Sequence, residues 1–259
     1  MRWILALPLL LSAAACEAKP AGDSATENAA TAAASEAITL KAADGVAVYG
    51  RFYKAAKPKA LILLFHQAGS SKDEYATIGP RLVKAGYSAL AIDQRAGGGL
   101  FGKNETAAGI GREADYLEAR PDLQAALDWA QTQHLPIILW GSSYSSSLIF
   151  PLAADHPQGI IALLSFSPGE YFDSDKQLIR RAAAKVTVPV FIASADSKEE
   201  RDDAEPIMAS LPKGAQNERY VPEHGVHGSS TLIATRNPAG AEANWREVLV
   251  FLDRVTAAK

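Results

Sequence analysis

Apolar residues in this chain come in continuous runs. Residues 60–65 read ALILLF, and residues 88–92, 137–140, 160–166 and 190–193 form similar runs. A shorter candidate begins near Arg219 and ends at Val221. A strand apolar on both faces is one covered on both faces, as in a parallel sheet packed between helices. Between the runs the spacing changes. Leu123, Ala126, Leu127 and Ala130 fall at i, i+3, i+4 and i+7, with Pro121 at a first-turn position. Trp245, Val248, Leu249 and Leu252 repeat that spacing, and Ile78, Leu82 and Val83 mark another helix stopped by Gly86. Strands alternating with helices predict an α/β fold with a doubly wound, mostly parallel sheet. Ahead of them, residues 38–53 carry Asp44-Gly45 between two alternating stretches. This predicts an antiparallel hairpin added at the sheet edge.

Composition narrows the picture. The chain has 259 residues, 48% hydrophobic and 21% charged, which suits a folded domain rather than a disordered or fibrous one. A net charge of −3 leaves no basic excess for nucleic acid. Cys16 is the single cysteine, so an internal disulfide and a cysteine-ligated metal cluster are excluded. No repeat is visible.

The first segment reads as an address. Arg2 precedes an apolar stretch, residues 4–11, that is too short for an ordinary transmembrane span. Small residues then lead to Cys16. This resembles a bacterial lipoprotein signal, except that Ala13 stands where Leu is usual. The resemblance implies a signal peptide over 1–15 and lipid on Cys16. It places the protein in the bacterial envelope, with a mild preference for the outer membrane because Glu17 is not the inner-membrane retention Asp. Residues 16–36, rich in Ala, Ser, Thr and Glu, read as a flexible tether. The folded body is expected over 37–259.

The chemistry concentrates where the run at 137–140 ends. Gly141-Ser142-Ser143-Tyr144-Ser145 follows, and then an apolar helical stretch. This is close to the G-x-S-x-G strand–turn–helix elbow, which exposes a serine hydroxyl at a helix N-terminus, and it makes Ser143 the candidate nucleophile. Ser145 stands where the second glycine would be; a serine-rich helix cap is the plainer reading of the same residues. An orienting acid and a base are then sought downstream in the order Ser, Asp or Glu, His. Asp196 lies just past the run at 190–193. Glu199, Glu200, Asp202 and Asp203 are its rivals and read as a solvated helix start. His224 and His227 follow, and His227 is preferred as the base. A zinc pair is the other reading of His224-x-x-His227, but it lacks the Glu and the helical setting of the H-E-x-x-H motif. Gly97-Gly98-Gly99 has no following Lys and is no phosphate loop.

Taken together, His66-Gln67-Ala68-Gly69, Asp93-Gln94-Arg95, the Gly141–Ser145 elbow, Asp196 and His227 resemble the α/β-hydrolase superfamily. They lie nearest its dienelactone-hydrolase-like branch, over about residues 45–255. The resemblance implies an α/β-hydrolase fold and a Ser143–His227–Asp196 mechanism without cofactor or metal. It implies an oxyanion hole from the Ala68 and Tyr144 N–H groups, with His66, Asp93 and Arg95 organising loops. Gln67 replaces the first glycine of the loop. The 23 residues between Phe166 and Val190 leave no room for a large lid domain. The excursion 100–120 is expected to lean over the site with Phe101, Tyr116 and Leu117. Phe101, Phe166, Tyr171 and Phe172 are candidates for a substrate wall, with Tyr144 beside them. The expected substrate is a small or medium acyl ester. A peptidase, an acyltransferase on envelope components, and a non-catalytic binding lipoprotein are the alternatives.

Overall fold

The computed structural model describes residues 35–214 and 216–257. The signal peptide, Cys16 and nearly all of the expected tether lie outside the described residues. Eight strands form one sheet: β1 (Ser35–Lys41), β2 (Ala47–Tyr53), β3 (Leu61–Phe65), β4 (Ser88–Ile92), β5 (Ile137–Ser142), β6 (Ile160–Phe166), β7 (Val190–Ala193) and β8 (Glu218–Tyr220). Their spatial order is β1-β2-β4-β3-β5-β6-β7-β8. β1 pairs antiparallel with β2, and β2 antiparallel with β4; every later pairing is parallel. The edge hairpin turns at Gly45, whose φ of +89° a side chain would strain. Ser35 and Glu36, the last two residues of the expected tether, belong to β1. Val221 lies exposed just beyond β8.

The helices are α1 (Ile78–Lys84), α2 (Glu105–Ile110), α3 (Arg120–Gln131), α4 (Tyr144–Asp155), α5 (Leu178–Ala183), α6 (Lys198–Ser210) and α7 (Ala241–Ala257). They cover both faces of the sheet, which explains the continuous apolar runs. Leu61, Leu63 and Phe65 of β3 face a core with Leu123, Leu127, Leu148 and Ile149 of α3 and α4. Ile62 and Leu64 face the other, with Ile78 and Leu82 of α1 and Trp245, Val248 and Phe251 of α7. Successive side chains of a strand point to opposite faces, so a strand with two covered faces needs no polar position. Between β6 and β7 lies α5 alone, within the segment expected to hold no lid.

Arg95, past the end of β4, ties the hairpin to the helical layer. Its Nη2 donates to Asp122 Oδ1 at 2.7 Å, in α3, and to Asp44 Oδ1 at 3.0 Å, in the hairpin turn. The Arg95 N–H also donates to Asp122 Oδ2 at 2.8 Å. Asp122 is fully buried, and removing one partner of a buried pair strands the other charge. Asp122→Ala is therefore expected to lower unfolding stability by about 3 kcal/mol in urea titrations. A loss below about 1 kcal/mol would show that Asp44 alone satisfies Arg95.

Candidate active site

The sharp turn between β5 and α4 places Ser143. Its φ is 58° and ψ −128°, and the residue is 7% exposed. Gly141 is required for the turn: a Cβ there would lie 2.4 Å from the Ser146 Cα and 2.5 Å from the Ser145 carbonyl oxygen. The serine at 145 is not a defect of the motif. Its Oγ lies 2.7 Å from the Phe65 carbonyl and 2.9 Å from that of Ser142, and it accepts the Ser142 N–H at 3.0 Å. The hydroxyl ties the elbow to the end of β3, a bond that glycine could not make. Ser143 N–H donates to Phe166 O at 2.8 Å, fixing the elbow to β6 as well.

The loop after β3 is pinned on both sides of Gln67. Its N–H donates to Glu74 Oε2 at 2.8 Å, and its carbonyl accepts from His66 Nδ1 at 2.8 Å. The other ring nitrogen of His66 accepts the Gln94 N–H at 2.9 Å, which assigns the proton to Nδ1. Burial pushes His66 down to about 4, so the ring stays neutral at ordinary pH. A trans peptide points its C=O and N–H in opposite directions. Fixing the Gln67 carbonyl on His66 therefore turns the Ala68 N–H away from the ring. Neither the Ala68 nor the Tyr144 N–H has a hydrogen-bond acceptor among the described residues. Both are available to an outside oxygen.

Glu74 lies beneath this loop, 1% exposed. Its Oε1 accepts the Ser142 hydroxyl at 2.7 Å, and Ser142 Oγ in turn accepts the Ser229 N–H at 2.9 Å. Burial pushes the Glu74 carboxyl up to about 7, against hydrogen bonds from Gln67 and Ser142 that pull it down. The loop 223–228 packs on the elbow at Gly228, where a Cβ would sit 2.4 Å from Ser142 Oγ and 3.8 Å from Ser143 N; the side chains of Ser143 and His227 themselves share no hydrogen bond. Gly228 has φ +63°.

The carboxylate against His227 is Glu200, and this corrects the expectation for Asp196. His227 Nδ1 lies 2.7 Å from Glu200 Oε1. The other oxygen, Oε2, accepts the Ser167 hydroxyl at 2.5 Å and the Ala195 N–H at 2.7 Å. Asp196 is exposed and pairs with Arg201 at 2.9 Å. The reason is local: Ser197 caps α6, and Glu200, in its first turn, points back over the end of β7. Burial alone would raise Glu200, but the bonds from His227, Ser167 and the Ala195 N–H outweigh it and hold the carboxyl below its usual range. The same bond to Glu200 raises His227 above 6.5, against burial. Ser167, at the end of β6 with φ 58°, also accepts the Gly228 N–H at 2.9 Å. His224 is placed differently: its carbonyl holds Asn237, and it does not share the carboxylate. Among the described residues no cluster of three His, Cys, Asp or Glu side chains is placed to hold a metal.

The expected substrate wall is partly relocated. Phe166 is core, stacked on Trp140 at 4.8 Å. Phe101 packs under Arg236 at 4.8 Å. Tyr171 and Phe172 line a cavity of about 480 Å³ together with Tyr116 and Leu117 from the excursion 100–120. Tyr171 donates to Ser167 O at 2.7 Å. Tyr116 stacks on Tyr144 at 4.5 Å. An aromatic cavity thus adjoins the elbow.

A serine on a sharp strand–helix elbow of this eight-stranded sheet, with its order and pairing, is the architecture of an α/β hydrolase. The chain belongs to the Hydrolase_4 family ("Serine aminopeptidase, S33"), whose model matches residues 56–210. No curated protein matches the chain. Among solved structures it is similar to a dienelactone hydrolase from Anabaena variabilis, at 19% identity and TM-score 0.66, over 83% of this chain and 94% of that one. It is also similar to a thermostable carboxyl esterase from Bacillus coagulans, at 14% identity and TM-score 0.67, over 86% and 99%. Brefeldin A esterase, a bacterial homologue of human hormone sensitive lipase, aligns at 15% identity and TM-score 0.65, over 95% and 90%. These likenesses carry the fold.

The carboxylate assignment is testable without any substrate. In ¹H–¹⁵N spectra, the His227 titration midpoint is expected above 6.5 in the wild type. Glu200→Gln removes the charge that favours imidazolium, so the midpoint moves to lower pH. Asp196→Asn leaves it in place. The reverse pattern would return the role to Asp196.

Proposed function

We propose that this protein is a serine hydrolase that cleaves small or medium acyl esters through an acyl-enzyme on Ser143. The observation that carries the reading is the His227–Glu200 pair, carried on a loop whose next residue, Gly228, packs against an elbow that holds Ser143 in a strained backbone state. Glu200 keeps the His227 proton on Nδ1, which leaves Nε2 as the base. His227 takes the Ser143 proton as Oγ attacks the ester carbonyl. The oxyanion then lies between the Ala68 and Tyr144 N–H groups, where each such donor is worth about 2.7–4 kcal/mol. His227 returns the proton to the leaving alcohol, and water cleaves the acyl-enzyme by the same route. Glu200 takes the part that the sequence pattern gave to Asp196.

The peptidase reading is favoured by the family description, and the cavity argues against it. Its carboxylates, Asp115, Glu118 and Asp173, lie at the rim, where Glu118 pairs with Arg112 and Asp173 with Lys176 at 2.7 Å each. Recognition of an amine favours a carboxylate that is buried and uncommitted. The short β6–β7 connection supports an open site rather than one gated by a lid. Lipid on Cys16 would hold this site in the bacterial envelope, a reading supported by the sequence of the first 16 residues.

Purified protein is expected to react with a fluorophosphonate probe and to hydrolyse p-nitrophenyl esters from acetyl to octanoyl, with little gain beyond. Ser143→Ala should abolish labelling and lower kcat/KM about ten-thousandfold or more in a folded protein. Faster cleavage of aminoacyl anilides than of esters would favour the peptidase. Folded wild type inert to probe, esters and anilides alike would point to a binding protein. In a bacterial host, full-length protein should partition with membranes, and Cys16→Ser should release it. Equal partitioning of both would remove the lipid anchor.

A further inference from the structure

Glu74 is a buried carboxylate with no Lys or Arg partner among the described residues. Such a group is costly and calls for a reason. Its two oxygens are spent on two different segments. Oε2 takes the Gln67 N–H, and Oε1 takes the Ser142 hydroxyl. Ser142 is the neighbour of Ser143, and Gln67 the neighbour of Ala68. Ser142 Oγ also accepts the Ser229 N–H, two residues beyond His227. One carboxylate therefore stands at the junction of the loop after β3, the elbow and the histidine loop.

We propose that Glu74 is a positioning residue of the oxyanion hole: by gripping the Gln67 peptide and the Ser142 hydroxyl together, it fixes the spacing between the Ala68 N–H and Ser143. This rests on the serine-hydrolase reading above. The chemistry of the two donors makes a carboxylate the fitting side chain. A backbone N–H cannot reverse its polarity, so one oxygen must face Gln67. The other accepts the Ser142 hydroxyl, while the Ser142 oxygen accepts from Ser229. A carboxamide supplies one acceptor and an NH₂, so it can keep Gln67 but makes the Ser142 hydroxyl reverse its role and give up its present donation. An alkyl group keeps neither. His66 then holds the far side of the same loop, and the two grips together leave the Ala68 N–H one direction.

The test compares Glu74→Gln and Glu74→Leu with wild type, each first checked for folding by circular dichroism and thermal melting. Loss of one oxyanion donor slows acyl transfer by about 100- to 1000-fold. A misplaced donor is expected to cost less: about 10-fold in kcat for Glu74→Gln and about 100-fold for Glu74→Leu. KM for p-nitrophenyl acetate should stay within about threefold, because the ground-state ester hardly uses the hole. The inhibition constant of phenylboronic acid, whose Ser143 adduct carries a tetrahedral oxyanion, should rise in step with the loss in kcat. Amide exchange over residues 65–71, read by mass spectrometry, should quicken in both variants. A folded Glu74→Leu with kcat within about threefold of wild type would overturn the proposal, as would a lost rate with unchanged loop exchange. Wild type inert to ester and boronate would sink the hydrolase reading instead; loop exchange alone then decides whether Glu74 grips the loop. A merely structural role would lower the melting temperature without separating kcat from KM.

Discussion

Ser143 sits at φ 58° and ψ −128°, a backbone state that costs a residue with a side chain about 1–3 kcal/mol, and most of the site exists to hold it there. The turn is clamped from three directions. Its N–H is bonded to β6, the following helix turn closes on its carbonyl through the Ser146 hydroxyl at 2.6 Å, and the Ser145 hydroxyl ties the turn to the end of β3. Two of the three clamps are hydroxyls of buried serines with their hydrogen bonds satisfied. The serine-rich sequence here is therefore neither a loose helix cap nor a weakened elbow. The hydroxyls supply bonds that a glycine-flanked elbow must obtain from backbone alone.

The same device recurs one strand away. Ser167 ends β6 with φ 58°, and β6 lies beside β5 in parallel register, with Ser142 opposite Phe166. Two strained serines thus project from adjacent strand ends. The first is the candidate nucleophile. The second donates to Glu200 and accepts from Gly228, so it joins the acid to the histidine loop through one oxygen. In an open α/β sheet the carboxyl ends of neighbouring strands are where separate chain segments converge. Here the convergence is fixed by side-chain hydroxyls rather than by glycines alone.

That difference marks where the sequence was readable. The continuous runs disclosed the parallel strands, because burial on both faces removes the polar alternation. Asp44-Gly45 disclosed the hairpin through the turn it demands. Gly141 and Ser143 disclosed the elbow, because close backbone approach and a strand–helix switch leave a composition trace. Glu200 left a misleading one. Ser197 and Glu200 have the spacing of a helix capping box, and acidic residues crowd the first turn of α6, so the group reads as a solvated helix start. Asp196 is nearer the strand in sequence, but its side chain faces solvent and Arg201. A Glu three residues past the cap can reach back over the strand end, and only the packing of Ser167 and Ala195 beneath it shows that it does. Phe166 was misplaced for a simpler reason. Alternation along β6 sends it down onto Trp140, a matter of register that an all-apolar run conceals.

Glu74, buried, and Glu200, half-buried, show how one residue type is set to two states within one site. Glu200 accepts three hydrogen bonds, one from a histidine that gains charge, and lies in the first turn of a helix of 13 residues, where the backbone dipoles favour an anion. It stays ionised. Glu74 is buried more deeply, accepts from a peptide and a hydroxyl, and meets no helix N-terminus of comparable length, so its carboxyl is driven up to about 7. Glu200 favours the protonated form of His227 through their hydrogen bond, and Glu74, in its ionised fraction, favours it more weakly from a distance. On the serine-hydrolase reading proposed above, charge gained by the imidazole is met by Glu200 at Nδ1 and, in its ionised fraction, by Glu74 across the elbow. On that reading, the second acid beneath the site has a use beyond the loop it holds.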